Sequence, residues 1–249
     1  MTANLYSEAR PDEGGLPTPV SALTIGAHPD DAEFGAGGTL ARWTAQGCVL
    51  TMLIVTDGSK GTWEEETDGI DLPAARRREQ RQAADVIGAG EVIHLDYVDG
   101  ELEATIELRA ELCRWIRTIR PEVVLGHDPW RRYMLNPDHR AAGLGLIDGV
   151  VAARDHLFFP EQGLAKHRPA AVLLWQADAP DHYEDISATF DTKIAALLSH
   201  SSQTSTTMGD ANRSAAARAE FVKRMADLGA AQGEATGLGL AEAFKLIRP

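Results

Sequence analysis

The feature that most constrains the fold is an alternation. Apolar runs of strand length recur along the chain, each followed by a longer stretch whose apolar residues return at helical spacing. The runs at 20–27, 49–56, 91–97 and 121–127 are expected strands, and 34–46, 73–88, 105–119 and 137–154 expected helices. The first two runs show little polar alternation, the pattern of strands covered on both faces. The stretch 105–119 puts Leu108, Leu112, Trp115, Ile116 and Ile119 on one helical stripe. Repeats of this length build parallel βαβ units with right-handed crossovers, so the expected fold is α/β with a mostly parallel sheet flanked by helices. Ligands then bind beyond the carboxyl ends of the strands.

Further strands are expected at 171–176 and 182–186, and helices at 190–198 and 214–228. A last strand at 243–247 belongs with the closing helix to a cap on the same domain. Residues 1–20, rich in Pro, Gly and acids, read as a flexible lead-in to a single domain over 21–249. A length of 249 residues with 44% hydrophobic content suffices for one sizeable core. The net charge of −13 argues against a nucleic-acid or membrane surface, either of which needs clustered Lys and Arg. Cys48 and Cys113 show no CxxC spacing and are expected as buried thiols. With no signal-peptide core and no run near the roughly 18 apolar residues of a membrane span, a cytoplasmic location is expected; homo-oligomerisation is left open.

The chemistry concentrates where the first strand ends. His28-Pro29-Asp30-Asp31-Ala32-Glu33 places one imidazole and three carboxylates within six residues. Carboxylates this close need a compensating cation, and a neutral imidazole among them suits a divalent metal. Helix capping accounts for one carboxylate of such a group, not for the cluster with histidine. His28 and Asp31, three apart in a turn entering a helix, can face one point. His139, in the first turn of a later helix on the same sheet edge, is the best-placed third ligand. Two imidazoles and a carboxylate are the three-ligand pattern of catalytic zinc, with Asp30 left to take a proton from water. Glu33 is read as support.

The pattern Ala27-His28-Pro29-Asp30-Asp31, followed later by Asn136-Pro137-Asp138-His139-Arg140, resembles the PIG-L / LmbE-like family of zinc-dependent N-deacetylases. Arg76 to Glu79 and Ser199-His200-Ser201-Ser202-Gln203 extend the resemblance over roughly residues 21–203. The resemblance implies a Rossmann-like fold, one Zn2+ per chain with Fe2+ or Co2+ as alternatives, and hydrolysis of an N-acyl, commonly N-acetyl, group on an N-acetylglucosamine-type sugar or conjugate. It assigns His28, Asp31 and His139 as ligands and Asp30 as general base. Arg76 would hold the substrate or oxyanion, and His200 would orient or assist the base. Asn136 departs from the family's usual histidine; its amide can still donate to an oxyanion but supplies neither proton nor charge.

Other residues carry less. His127 and Asp128, at the end of the fourth strand, are expected near the site, with contact to substrate left open. Trp63, Trp130 and Tyr133 are candidates for a sugar face. The loop starting at Asp57 is long enough to be a lid or binding loop, and His94, His156, His167 and His182 are read as structural. Within the family, an amidase of a thiol-sugar conjugate or a deacetylase of a natural-product glycoside are alternatives. Outside it stands a non-catalytic metal-dependent binding protein. A dinucleotide site, suggested by Gly35, Gly37, Gly38 and Asp57, fits poorly: the glycines follow the turn, and Asp30 and Asp31 would repel a pyrophosphate.

Overall fold

The computed structural model describes residues 15–63 and 71–249; part of the expected lead-in and of the loop after Asp57 lies outside them. Strands β1 (Ser21–Gly26), β2 (Val49–Thr56), β3 (Glu91–Tyr97), β4 (Val123–His127) and β5 (Ala171–Trp175) are joined to β6 (His182–Asp185) and β7 (Ala241–Ile247) in one seven-stranded sheet of order β3-β2-β1-β4-β5-β7-β6. The first five pair in parallel, and β7 runs antiparallel between β5 and β6. The expected α/β architecture is present.

The helices are α1 (Asp31–Ala45), α2 (Leu72–Ile87), α3 (Ile106–Ile119), α4 (Pro137–Arg154), α5 (Phe190–Leu198) and α6 (Ala215–Glu234). Alternate strand residues feed two cores. Ala22, Leu50, Met52, Leu125 and Leu173 pack with Leu40 and Trp43 of α1 and Ala83 and Ile87 of α2. Leu23, Ile25, Leu53, Val55 and Val124 pack with Leu108, Leu112 and Ile116 of α3 and Leu146 of α4. Burial on both faces explains why the central strands read as continuous apolar runs.

The structure departs from the sequence reading chiefly in three places. Helix α1 begins at Asp31 rather than Phe34, which places the acidic cluster on its first turn. Helix α6 continues past residue 228 to Glu234, because Gly229 and Gly233 face the chain leading into β7 instead of ending the helix: a Cβ on Gly233 would meet the Leu238 carbonyl at 2.4 Å. The last segment also does not cap the domain. Strand β7 completes the sheet, its alternating Phe244 and Leu246 buried. The glycines of α1 serve packing: a Cβ at Gly35 would lie 2.5 Å from Trp175 Cγ, and one at Gly38 2.6 Å from Ile186 Cβ. That leaves the Gly-rich stretch no part in a pyrophosphate turn. Cys48 and Cys113 are free and buried. Among the described residues no helix is long and apolar enough to cross a membrane.

Candidate metal centre and active-site cleft

Strand β1 delivers His28 and Asp31 to the carboxyl edge of the sheet, and Thr56 of β2 fixes the exit through N–H and Oγ1 bonds to the Ala27 carbonyl, both 2.8 Å. The turn closes through Asp30, whose φ of 98° lies in the left-handed region that a side chain rarely adopts. Its N–H donates to Gln80 Oε1 at 3.1 Å, and Gln80 Nε2 donates to Glu33 Oε1 at 2.7 Å. One buried glutamine of α2 thus holds both the strained turn and the first turn of α1.

His28, Asp31 and His139 come together as a group able to hold a metal ion. His28 Nδ1 lies 3.2 Å from His139 Nε2 and 3.6 Å from Asp31 Oδ2, and His139 Nε2 lies 3.2 Å from Asp31 Oδ1. The far side of His28 sets its tautomer. Nε2 faces Asp138 Oδ2 at 3.0 Å and Asp99 Oδ1 at 3.2 Å. Carboxylates only accept, so the ring proton sits on Nε2 and the Nδ1 lone pair points to His139 and Asp31. With His28 Nδ1 and His139 Nε2 deprotonated, two imidazole nitrogens and a carboxylate oxygen converge, the ligand set of a divalent cation. Burial lowers the His28 pKa, but Asp138, Asp31 and Asp99 outweigh it and hold the ring well above its usual value. Against burial, His139 and His127 hold the Asp31 carboxyl well below the usual carboxylate range. A site this anionic attracts a cation.

Asp99 and Asp138 also form a three-residue group with His28, but Asp138 is already engaged by backbone donors. It accepts Gly100 N at 2.6 Å and Leu102 N at 3.3 Å, with its side chain 1% exposed. Both carboxylates therefore orient the His28 ring. Asp138 lies inside the Asn136–Arg140 motif but has no role assigned from sequence; nor has Asp99, just beyond β3, although ligands are expected past the carboxyl ends of strands. Asp57 instead organises loops, accepting from Ser59 N and Asp99 N.

Asp30 is buried, and its Oδ2 has no hydrogen-bond partner among the described residues. Burial pushes its carboxyl up to about 6, against the pull of Arg76, whose Nη2 stands 3.7 Å from Oδ2. Arg76 is the one arginine of its run that turns inward, as Arg77 pairs with Asp96 at the surface. Its guanidinium donates to the Gly58 carbonyl at 3.1 Å and the Pro29 carbonyl at 2.6 Å, and Gly58 and Gly61 leave it room. His200 is fully buried behind the cleft, Nε2 3.8 Å from Glu33 Oε1, with no hydrogen bond to either ring nitrogen among the described residues. Against burial, the charge of Glu33 draws its pKa upward.

Asn136 is the N-cap of α4, its Oδ1 accepting from Asp138 N at 2.9 Å and His139 N at 3.4 Å. Among the described residues Nδ2 has no hydrogen-bond partner, and the residue lines the cleft. This cleft, of about 500 Å³, is bounded by His28, Asp30, Asp31, Arg76, Asn136 and His139 with Trp63 at its rim. Of the aromatic candidates only Trp63 borders it; Trp130 and Tyr133 are exposed on the loop before α4. His127 does not reach substrate space. It is fully buried behind Asp31, donating from Nε2 to Oδ2 at 3.0 Å.

Residues 23–148 match the family model described as PIG-L, GlcNAc-PI de-N-acetylase. The chain belongs to the PIG-L family. Diacetylchitobiose deacetylase of Thermococcus kodakarensis is 38% identical over 184 residues, 73% of this chain and 69% of that protein. The structure of N,N'-diacetylchitobiose deacetylase from Pyrococcus horikoshii, complexed with an inhibitor, superposes with a TM-score of 0.83 at 27% identity, covering 92% of this chain and 84% of that one. A 4-oxalmesaconate hydratase of Pseudomonas putida is 27% identical over 214 residues, 79% of each protein. The relatives named as deacetylases are hydrolases of amide C–N bonds.

Proposed function

We propose that this PIG-L protein is a metal-dependent deacetylase removing the acetyl group from an N-acetylglucosamine-type sugar. The observation that carries the reading is the convergence of His28 Nδ1, His139 Nε2 and Asp31 Oδ1 beside the buried Asp30, whose Oδ2 accepts no hydrogen bond among the described residues. The substrates named for the deacetylase relatives agree with it. The donor set fits Zn2+, with Fe2+ or Co2+ as alternatives. When bound, such a cation polarises an acyl carbonyl and lowers the pKa of a coordinated water toward neutrality.

The chain's own residues do the rest. Asp30 accepts a proton from water as the water oxygen bonds to the acyl carbon. Asn136 Nδ2, with Oδ1 committed to the helix cap, faces the oxyanion of the tetrahedral adduct. The C–N bond breaks as Asp30 returns its proton to the leaving nitrogen, so amide and water become acetate and a protonated amine. Arg76 braces the turn that carries Asp30 and favours the carboxylate through charge. His200 and Glu33 act on Asp30 from behind, as positioning residues.

The test is acetate release from N-acetylated amino sugars by the Zn2+-loaded protein. Asp30→Asn should abolish release while metal binding persists. Activity equal in the variant overturns the role of Asp30, and absence of any deacetylation by the loaded wild type overturns the function. The hydratase relative motivates a second reading, addition of water to a C=C bond; turnover of 4-oxalmesaconate in place of N-acetyl sugars would favour it.

A further inference from the structure

We infer that Trp175 is a positioning residue for the metal centre, acting through His127 to select which oxygen of Asp31 faces the cation. The inference rests on the metal reading of His28, Asp31 and His139.

Trp175 is the last residue of β5 and pairs in register with His127, the last of β4. The parallel strands set indole and imidazole side by side, 5.2 Å between centroids and nearly perpendicular at 74°. Trp175 Nε1 lies 3.0 Å from His127 Nδ1. An indole nitrogen can only donate, so Nδ1 holds a lone pair and the proton of the neutral imidazole resides on Nε2. That Nε2–H donates to Asp31 Oδ2 at 3.0 Å, and the same oxygen accepts the His28 backbone N–H at 2.7 Å. Oδ2 is occupied by two donors, which leaves Oδ1 directed at His139 Nε2. The His127 ring also stacks on His139, centroids 4.1 Å apart and planes 21° apart, so fixing one ring supports the other.

The geometry is held from behind. Trp175 and His127 are both fully buried, and Gly35 makes room for the indole. Without the indole N–H, His127 is free to carry its proton on Nδ1. Its Nε2 lone pair would then oppose Asp31 Oδ2, acceptor against acceptor, and the carboxylate would rotate.

Trp175→Phe keeps the ring and deletes the donor. Chelator-competition titration with Zn2+ should show weaker affinity, by at most the roughly 10- to 100-fold expected from losing His127, the direct orienting partner of Asp31. The Co2+-substituted protein should show an altered absorption spectrum. His127→Gln, whose amide can accept from Trp175 and donate to Asp31, should bind metal more tightly than His127→Phe. In the His127→Phe background, Trp175→Phe should cost nothing more, because the two act in series. Wild-type affinity and spectrum in Trp175→Phe, or additive losses in the double variant, overturn the proposal. Should Trp175→Phe not fold, the comparison of His127→Gln with His127→Phe decides, equal affinities refuting the relay. Failure of the wild type itself to bind a divalent ion overturns the metal reading instead.

Discussion

Asn136 carries two duties that substitution can separate. Its Oδ1 caps α4 through two N–H groups, at 2.9 and 3.4 Å, and its Nδ2 is the donor offered to the oxyanion. Asn136→Ala removes both. Only the shorter of the two bonds is strong, so the capping loss is about 1 kcal/mol, a fall in melting temperature of about 2–4 °C for a chain of this size. Asn136→Ser retains a capping oxygen and lacks the amide, so its melting temperature should stay at the wild-type value. Its kcat should fall by about 10², the lower end for an oxyanion donor because the residue is half-buried and water competes. Thermal melting of the Zn2+-loaded proteins, paired with acetate release, reads both duties. A serine variant with wild-type kcat refutes the oxyanion role. An alanine variant that melts with wild type refutes the cap.

Further outcomes follow from the same geometry. Arg76→Met strips the partner from the Gly58 and Pro29 carbonyls and should destabilise the protein by about 3–4 kcal/mol in urea unfolding, given about 1.5–3 kcal/mol for each hydrogen bond to a charged group; a change under 1 kcal/mol would show that the guanidinium braces nothing. Asp30 works as a base only when ionised, so hydrolysis should decline as pH is lowered through about 6, and a bound cation pulls that limb lower; a limb above pH 7 contradicts the assignment. Removal of the metal with dipicolinate should abolish turnover and Zn2+ should restore it, whereas chelator-resistant hydrolysis discards the metal reading. The Cys48 thiol, pushed up to about 11 mainly by burial, and the buried Cys113 should react with iodoacetamide only on unfolding; rapid labelling of native protein would place a thiol at the surface.

The sequence announces the parallel sheet because strands buried on both faces leave no polar alternation, and β1 and β2 read that way without help. The antiparallel insertion of β7 could not be read, since its partners β5 and β6 lie far back along the chain and pairing register leaves no local mark. In the cleft, His28, Asp30 and Asp31 are legible because carboxylate crowding beside histidine is costly without a cation. Asp99 and Trp175 are not: a lone Asp in a turn and a lone Trp in an apolar strand look ordinary until the fold sets them against His28 and His127. Arg76 shows the limit in the other direction. Its inward turn was expected, but its commitment to the Gly58 and Pro29 carbonyls depends on a loop whose path the sequence does not specify.

The left-handed backbone of Asp30 sets its chemistry against its own folding preferences. Glycine would adopt that conformation without strain, and no buried carboxylate would then need to be stripped of water. Each change that eases the turn also removes the proton acceptor. Selection for thermal endurance alone would therefore drift away from aspartate at this position, and only a requirement for turnover keeps it there.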